Sequence, residues 1–156
     1  MAAQIVSLDY LWNMVRVRGG AYGAGIVVNG SGNIFTYSYR DPSPAATVGI
    51  NRQIAAYLRE IADSDEPIDK YIISTVAETE PLLSPRDLGS REDNNIFAGI
   101  DEAIARRIRR EMLETKKSDL LEFCDIIDRF AEKGAVCVVA YKDALEKCEG
   151  LTLGEL

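Results

Sequence analysis

The sequence predicts an α+β fold: a two-layer sandwich in which a small antiparallel sheet packs against several helices. Two observations carry that expectation. Apolar residues recur at helical spacing over most of the chain, as in Leu120, Phe123, Cys124, Ile127 and Phe130. Against that background, residues 24–29 and 33–40 have strand character on either side of Gly30-Ser31-Gly32, which predicts a hairpin. A single domain spanning residues 1–156 is expected, because 156 residues with 47% hydrophobic content are enough for one core.

Residues 3–16 read as an amphipathic helix with Ile5, Leu8, Leu11, Trp12 and Val15 on one face, stopped by Gly19 and Gly20. In the second hairpin strand Phe35, Tyr37 and Tyr39 alternate with Ile34, Thr36 and Ser38, so Tyr37 and Tyr39 are expected to fill one sheet face. Pro42 and Pro44 end that strand. Residues 47–63 carry the helical stripe Ile50, Ile54, Tyr57, Leu58 and Ile61. Pro67 suits the first position of a further helix running to about Thr79. A turn-rich stretch through Pro81, Pro85 and Gly89 leads to a short helix near 91–98, closed by Gly99. Residues 101–115 and 118–132 are the clearest helices, the second capped by Ser118 and closed by Gly134. Residues 135–141 read as a continuous apolar strand buried on both faces, followed by a short helix around 142–148. Three strands are few for this length, so the chain is expected to be part of something larger.

The formal charge is −7, from 25 acidic and 18 basic residues, which disfavours nucleic acid as a partner. Arg106-Arg107 and Arg109-Arg110 lie beside Glu102, Glu111 and Glu114 and predict a solvated, ion-paired helix face. No apolar run reaches the length of a membrane span, and no membrane partner is expected. The first helix carries Asp9, Asn13 and Arg16 and has no signal-peptide pattern, which argues against secretion. Cys124 on its helical stripe and Cys137 inside Ala-Val-Cys-Val-Val read as small core residues. With Cys148 they make an odd number, and a reducing compartment is expected. The chain has no histidine, so Ser-His-Asp and Cys-His sites and a histidine-ligated zinc are ruled out within it. No metal or cofactor is expected to bind this chain.

The functional argument centres on Arg16-Val17-Arg18-Gly19-Gly20-Ala21-Tyr22-Gly23, followed by Ser38-Tyr39-Arg40-Asp41-Pro42. The first block sets a cation and a phenol six residues apart, at a helix end and within a glycine-dense turn. A plain structural reading makes it a helix-to-strand connection whose glycines supply unusual backbone angles. Against that, Tyr22 is flanked by glycine and poorly packed by its sequence neighbours, and Arg16 can turn toward the same space. The glycines do not form a phosphate loop: such loops follow a strand and open a helix, and Gly-Lys-Ser/Thr is missing. The second block reads as a strand end, with Asp41 capping backbone N–H groups and Arg40 paired nearby. Glu78/Glu80 and Asp125/Asp128 sit on polar faces or in loops and suggest no acid–base site.

Residues 10–23, Tyr-Leu-Trp-Asn-Met-Val-Arg-Val-Arg-Gly-Gly-Ala-Tyr-Gly, and residues 37–42, Tyr-Ser-Tyr-Arg-Asp-Pro, resemble the last domain of the presequence-protease branch of the pitrilysin/insulinase zinc peptidases. The run Ile100-Asp101-Glu102 through Arg109-Arg110-Glu111-Met112-Leu113-Glu114-Thr115 is similar to that family's continuation, with less specificity. Members are long chains of four related α/β modules that close as two halves around a chamber. The first module bears zinc on an inverted His-x-x-Glu-His motif plus a downstream glutamate. The resemblance implies that this chain is the later portion of the last module, that Met1 starts inside a helix longer in the parent, and that the chain alone is inactive. By the same resemblance Arg16 holds peptide backbone, and Tyr22 is a catalytic residue that binds substrate and stabilises the oxyanion in the assembled enzyme. The implied partners are the zinc-bearing N-terminal half and a peptide substrate, with self-association of the fragment through uncovered apolar surface. The implied location is a bacterial cytoplasm, or an organellar matrix if the parent is eukaryotic. The alternatives are a non-catalytic partner subunit and a stand-alone binding domain.

Overall fold

The computed structural model describes residues 1–152 and Gly154. Helices dominate, with one hairpin, as an α+β chain requires. Helix α1 opens as an α-helical turn, Ala2–Ile5, and continues as a π-helix, Val6–Arg18. Strands β1 (Gly23–Val28) and β2 (Ile34–Tyr39) follow, then α2 (Pro44–Asn51), α3 (Ile54–Asp63), α4 (Asp69–Thr79), α5 (Pro85–Phe97), α6 (Glu102–Leu113), α7 (Lys117–Lys133) and α8 (Lys142–Leu145). The described residues divide into two compact units, one of Met1 and residues 67–116, the other of residues 2–66 and those from Lys117 on.

The larger unit contains the hairpin. β1 and β2 pair antiparallel, in register from Gly23↔Tyr39 to Val28↔Ile34. Asn29 holds the turn: its side-chain oxygen accepts from the Asn33 N–H and the Ser31 hydroxyl, both at 2.9 Å. Helix α1 packs on β1, where the Ser7 hydroxyl accepts from the Ile26 N–H at 3.2 Å. The wider i→i+5 winding changes which residues of α1 face inward. Val6, Tyr10, Leu11 and Val15, four to five apart, are buried, whereas Leu8 and Trp12 are 46% and 44% exposed. The sequence stripe assumed a period of 3.6, and this explains why it held for Ile5, Leu11 and Val15 and failed for the other two.

Helix α3 packs along α7, burying Ile54, Ala55 and Leu58 with Leu120, Cys124 and Ile127. Each large aliphatic side chain taken fully out of water there contributes about 1.5–3 kcal/mol. Arg59 on α3 bridges to Asp128 and Asp125 on α7, at 2.5 and 3.9 Å. The stripe over 47–63 is two helices rather than one. Tyr10 donates its hydroxyl to the Ile50 carbonyl at 3.1 Å and Gln53 donates its N–H to the same oxygen at 3.0 Å, so that carbonyl serves a turn and a neighbour in place of a continuing helix. Burial, and secondarily Glu60, pushes the Tyr10 phenol up, which keeps it a donor.

Residues 135–141 correct the sequence reading most sharply. They form no strand, and Val136, Val139 and Tyr141 are 44%, 73% and 90% exposed. A strand needs an edge to pair with, and among the described residues β1 and β2 pair only with each other. The segment instead lines a cavity of about 890 Å³ that β2 also lines. Cys137 is therefore exposed, while Cys124 and Cys148 are buried. Ser118 lies inside the first turn of α7, not at its cap, since the helix begins at Lys117, whose ammonium donates to the Ser64 carbonyl.

The smaller unit holds α4, α5 and α6, with Ile68, Tyr71 and Thr75 buried. Pro67 precedes α4 by two residues instead of opening it. Helix α5 starts at Pro85, earlier than the turn-rich composition suggests, because Ser84 caps it: its hydroxyl oxygen accepts from the Asp87 N–H at 3.2 Å. On α6, Arg106 pairs with Glu102 at 3.4 Å and Arg107 with Glu111 at 3.6 Å, and Arg109 reaches Glu80 on the α4 side at 3.1 Å. The arginine cluster is thus the ion-paired, solvated face its composition predicts.

Candidate functional site

The site is assembled where α1 ends and the hairpin begins and ends. Gly19 and Gly20 release the chain from α1, and Gly20 takes a left-handed φ of 78° that a side chain would resist. Ala21 is buried, which fixes the turn, and leaves Tyr22 outside it with 66% of its surface exposed. The Tyr22 N–H donates to the Tyr39 carbonyl at 3.0 Å, and so extends the ladder by one residue and ties both ends of the hairpin together.

Arg16 is brought to Tyr22 as its position in the last turn of α1 suggests. Its Nε donates to the Tyr22 carbonyl at 3.1 Å, while its guanidinium carbon lies 3.8 Å from the centroid of the Trp12 ring. A cation over an indole at a partly exposed site is worth about 0.5–1 kcal/mol. Trp12 is therefore no failed core residue: it is the platform on which Arg16 lies. Neither the Arg16 terminal nitrogens nor the Tyr22 hydroxyl has a protein hydrogen-bond partner among the described residues. Both present donors to solvent or to a ligand.

The second block divides in two. Asp41 caps as expected, its carboxylate accepting from the Ser43 N–H at 2.8 Å and from the Thr47 hydroxyl at 2.5 Å. Arg40 does not pair with it. Its guanidinium carbon sits 5.7 Å from the Tyr22 ring and 5.5 Å from the Tyr39 ring, and those two rings meet edge-on at 5.9 Å and 84°. Tyr37 and Tyr39 fill no buried face, being 48% and 55% exposed. Tyr37 lies across Gly25 opposite it, where a Cβ would stand 2.9 Å from the phenol oxygen. Sequence reasoning missed Trp12, Tyr39 and Arg40 as members of the site. The signal available was their adjacency to the two blocks, but a 3.6-residue stripe assigned Trp12 to the core, strand alternation assigned Tyr39 to a sheet face, and Arg40 was read as paired near Asp41.

The carboxylate pairs stay outside the site. Asp125 and Asp128 serve Arg59, and Glu80 serves Arg109. Among the described residues no three His, Cys, Asp or Glu side chains converge to hold a metal ion, and the chain has no histidine, so these residues do not fit a zinc centre. Among the described residues no helix is long and apolar enough to cross a membrane.

Fold and site define an α+β domain that presents an arginine and a phenol beside a tyrosine-rich hairpin. The family described as PreP C-terminal domain matches residues 2–142, and the chain belongs to that family, the C-terminal part of presequence-protease-like peptidases. It is 30% identical over 142 residues to presequence protease 1, chloroplastic/mitochondrial, of Arabidopsis thaliana, covering 90% of this chain and 13% of that protein. Protein HypA of Clostridium perfringens is 26% identical over 147 residues, 94% of this chain and 15% of that protein. The mitochondrial presequence protease of Emericella nidulans is 28% identical over 155 residues, 99% of this chain and 14% of that protein. The chain thus spans about 13–15% of the length of these relatives.

Proposed function

We propose that this chain is the later portion of the last module of a peptide-degrading zinc metalloendopeptidase, in which Arg16 and Tyr22 contact the bound peptide and the domain helps close the chamber around it. One observation carries the reading. Tyr22 offers a phenol O–H that no described protein group engages, and Arg16 is anchored through Nε to the carbonyl of that same residue. The two donors are therefore presented from the same turn. Arg16 would direct its remaining N–H groups to peptide carbonyls, while the Tyr22 hydroxyl would donate to the oxygen of the carbonyl under attack, where charge develops. Zinc would be held by another domain of the parent, since the residues of this chain do not fit it.

The partners in this reading are the zinc-bearing N-terminal half of the same enzyme and the peptide itself. The compartment is a reducing one, in which Cys124, Cys137 and Cys148 stay unpaired, as they are here. The relatives named presequence protease are described as mitochondrial or chloroplastic, which supports an organellar matrix, and the Clostridium relative supports a bacterial counterpart.

The test is turnover of a peptide by the complete enzyme carrying Tyr22→Phe or Arg16→Ala. Removing one oxyanion donor costs about 10²–10³ in kcat where it acts directly, so Tyr22→Phe is expected to lower kcat steeply with the fold intact. Arg16→Ala is expected to raise KM as well. Unchanged kcat and KM for both variants would end the proposal.

A further inference from the structure

We infer that Arg40, with Tyr39, is a positioning residue that fixes the Tyr22 phenol; the inference rests on the substrate-contact reading of Tyr22 given above. Arg40 has a φ of 48°, in the left-handed region where a side chain crowds its own carbonyl. Asn or Gly is the ordinary occupant of such a position, and an arginine there is held by what surrounds it. What surrounds it is aromatic. Its guanidinium carbon lies 5.7 Å from the Tyr22 centroid and 5.5 Å from that of Tyr39, and no described carboxylate pairs with it. The adjacent Asp41 is committed to Ser43 and Thr47. In a chain of net charge −7, this arginine is left to the faces of two rings.

Tyr22 needs such support. Its backbone is pinned at both ends, by the Tyr39 carbonyl and by Arg16, yet its side chain is 66% exposed. The following Gly23 offers it no side chain. An exposed tyrosine samples its staggered rotamers freely, whereas a donor to an oxyanion must sit at a set distance before the charge appears. The edge of Tyr39 and the cation of Arg40 bear on the Tyr22 ring and narrow that choice.

The test uses the complete enzyme and compares kcat and KM for Tyr22→Phe, Arg40→Gly, Arg40→Asn, Arg40→Lys and the double variant Arg40→Gly/Tyr22→Phe. Gly and Asn both accept the left-handed backbone, so folding is retained when the guanidinium is removed. The expected result is a fall of about two- to fivefold in kcat at unchanged KM for Arg40→Gly and Arg40→Asn, the size of a lost cation–π contact at a partly exposed site. Arg40→Lys is expected to recover most of that loss. In the Tyr22→Phe background, where no hydroxyl remains to be placed, Arg40→Gly is expected to cost nothing further. Losses that multiply in the double variant would overturn the inference and give Arg40 an independent role. So would parental kcat in both Arg40 truncations while Tyr22→Phe is impaired, which would leave the Tyr22 reading standing. A Tyr22→Phe variant at parental kcat would overturn both together.

Discussion

Arg16 touches its surroundings in two different ways, and lysine cannot make both contacts at once. Its planar guanidinium lies on Trp12 at 3.8 Å, and its Nε, a donor set back from the end of the side chain, reaches the Tyr22 carbonyl at 3.1 Å. A lysine carries its charge at the tip, with no flat face and no inner donor, so it must choose between the anchor and the ligand. Arg16→Lys in the complete enzyme is therefore expected to lose nearly as much kcat/KM as Arg16→Ala, about tenfold or more for a hydrogen bond involving a charged group. A lysine variant retaining over half of the parental value would show that charge alone suffices. Asp41 makes the complementary point about stability. It caps Ser43 and holds Thr47, and Thr47 is buried. Asp41→Ala is expected to cost about 1–2 kcal/mol, read as a fall in Tm of about 2–4 °C for each kcal/mol in a chain of this size. An unchanged Tm would mean that Ser43 and Thr47 find other partners.

The elements that were legible in the sequence are those whose local signal agrees with their packing. Helix α7 is an example: its stripe through Leu120, Cys124 and Ile127 is the face buried with α3. The pairing of the hairpin was legible from its turn chemistry, whereas the face that strand alternation assigned to packing, with Tyr37 and Tyr39, is the exposed one. Failures came where a distant group overrode the local pattern. The π-winding of α1 replaces a 3.6 period by a longer one and moves Trp12 from core to site. The break before α3 depends on Tyr10, forty residues away in sequence from Ile50. Residues 135–141 have the composition of a buried strand, yet no described strand lies beside them, so composition alone misleads. In the candidate site, Arg16 and Tyr22 were legible from the glycine-dense block, while Arg40 and Tyr39 needed the folded hairpin. The exposed state of residues 135–141 can be checked by thiol labelling near pH 8. Cys137 is exposed and is expected to react within the mixing phase with a chromogenic disulfide. Cys148 is buried, and Cys124 is buried with its thiol pushed up by desolvation, so both are expected to react only on unfolding. Slow labelling of all three would restore the buried-strand reading.

At the scale of the whole molecule, two opposed properties set its behaviour in solution. The chain carries a charge of −7 and a pI of about 4.7, so copies repel one another at neutral pH. Yet the larger unit displays Phe35, Tyr37 and Tyr39 on the hairpin and Val139 and Tyr141 on the extended segment, all exposed, with Tyr37, Tyr39, Val139 and Tyr141 lining one cavity. Apolar surface grouped in this way marks a contact region, and β2 adds an edge on which no described strand pairs. Salt decides between the two, because it screens the repulsion and leaves the apolar attraction in place: the Debye length falls from about 10 Å at 0.1 M to about 3 Å at 1 M. The isolated chain is therefore expected to be largely monomeric in low salt and to associate progressively as salt is raised at pH 7. Static light scattering across that range reads the mass directly. Val139→Lys places a charge within the patch and is expected to suppress the salt-driven rise without lowering Tm, because the side chain is 73% exposed. A constant monomer mass at every salt concentration would show that the patch is too small or too interrupted to associate. A rise that Val139→Lys does not alter would place the contact elsewhere on the chain.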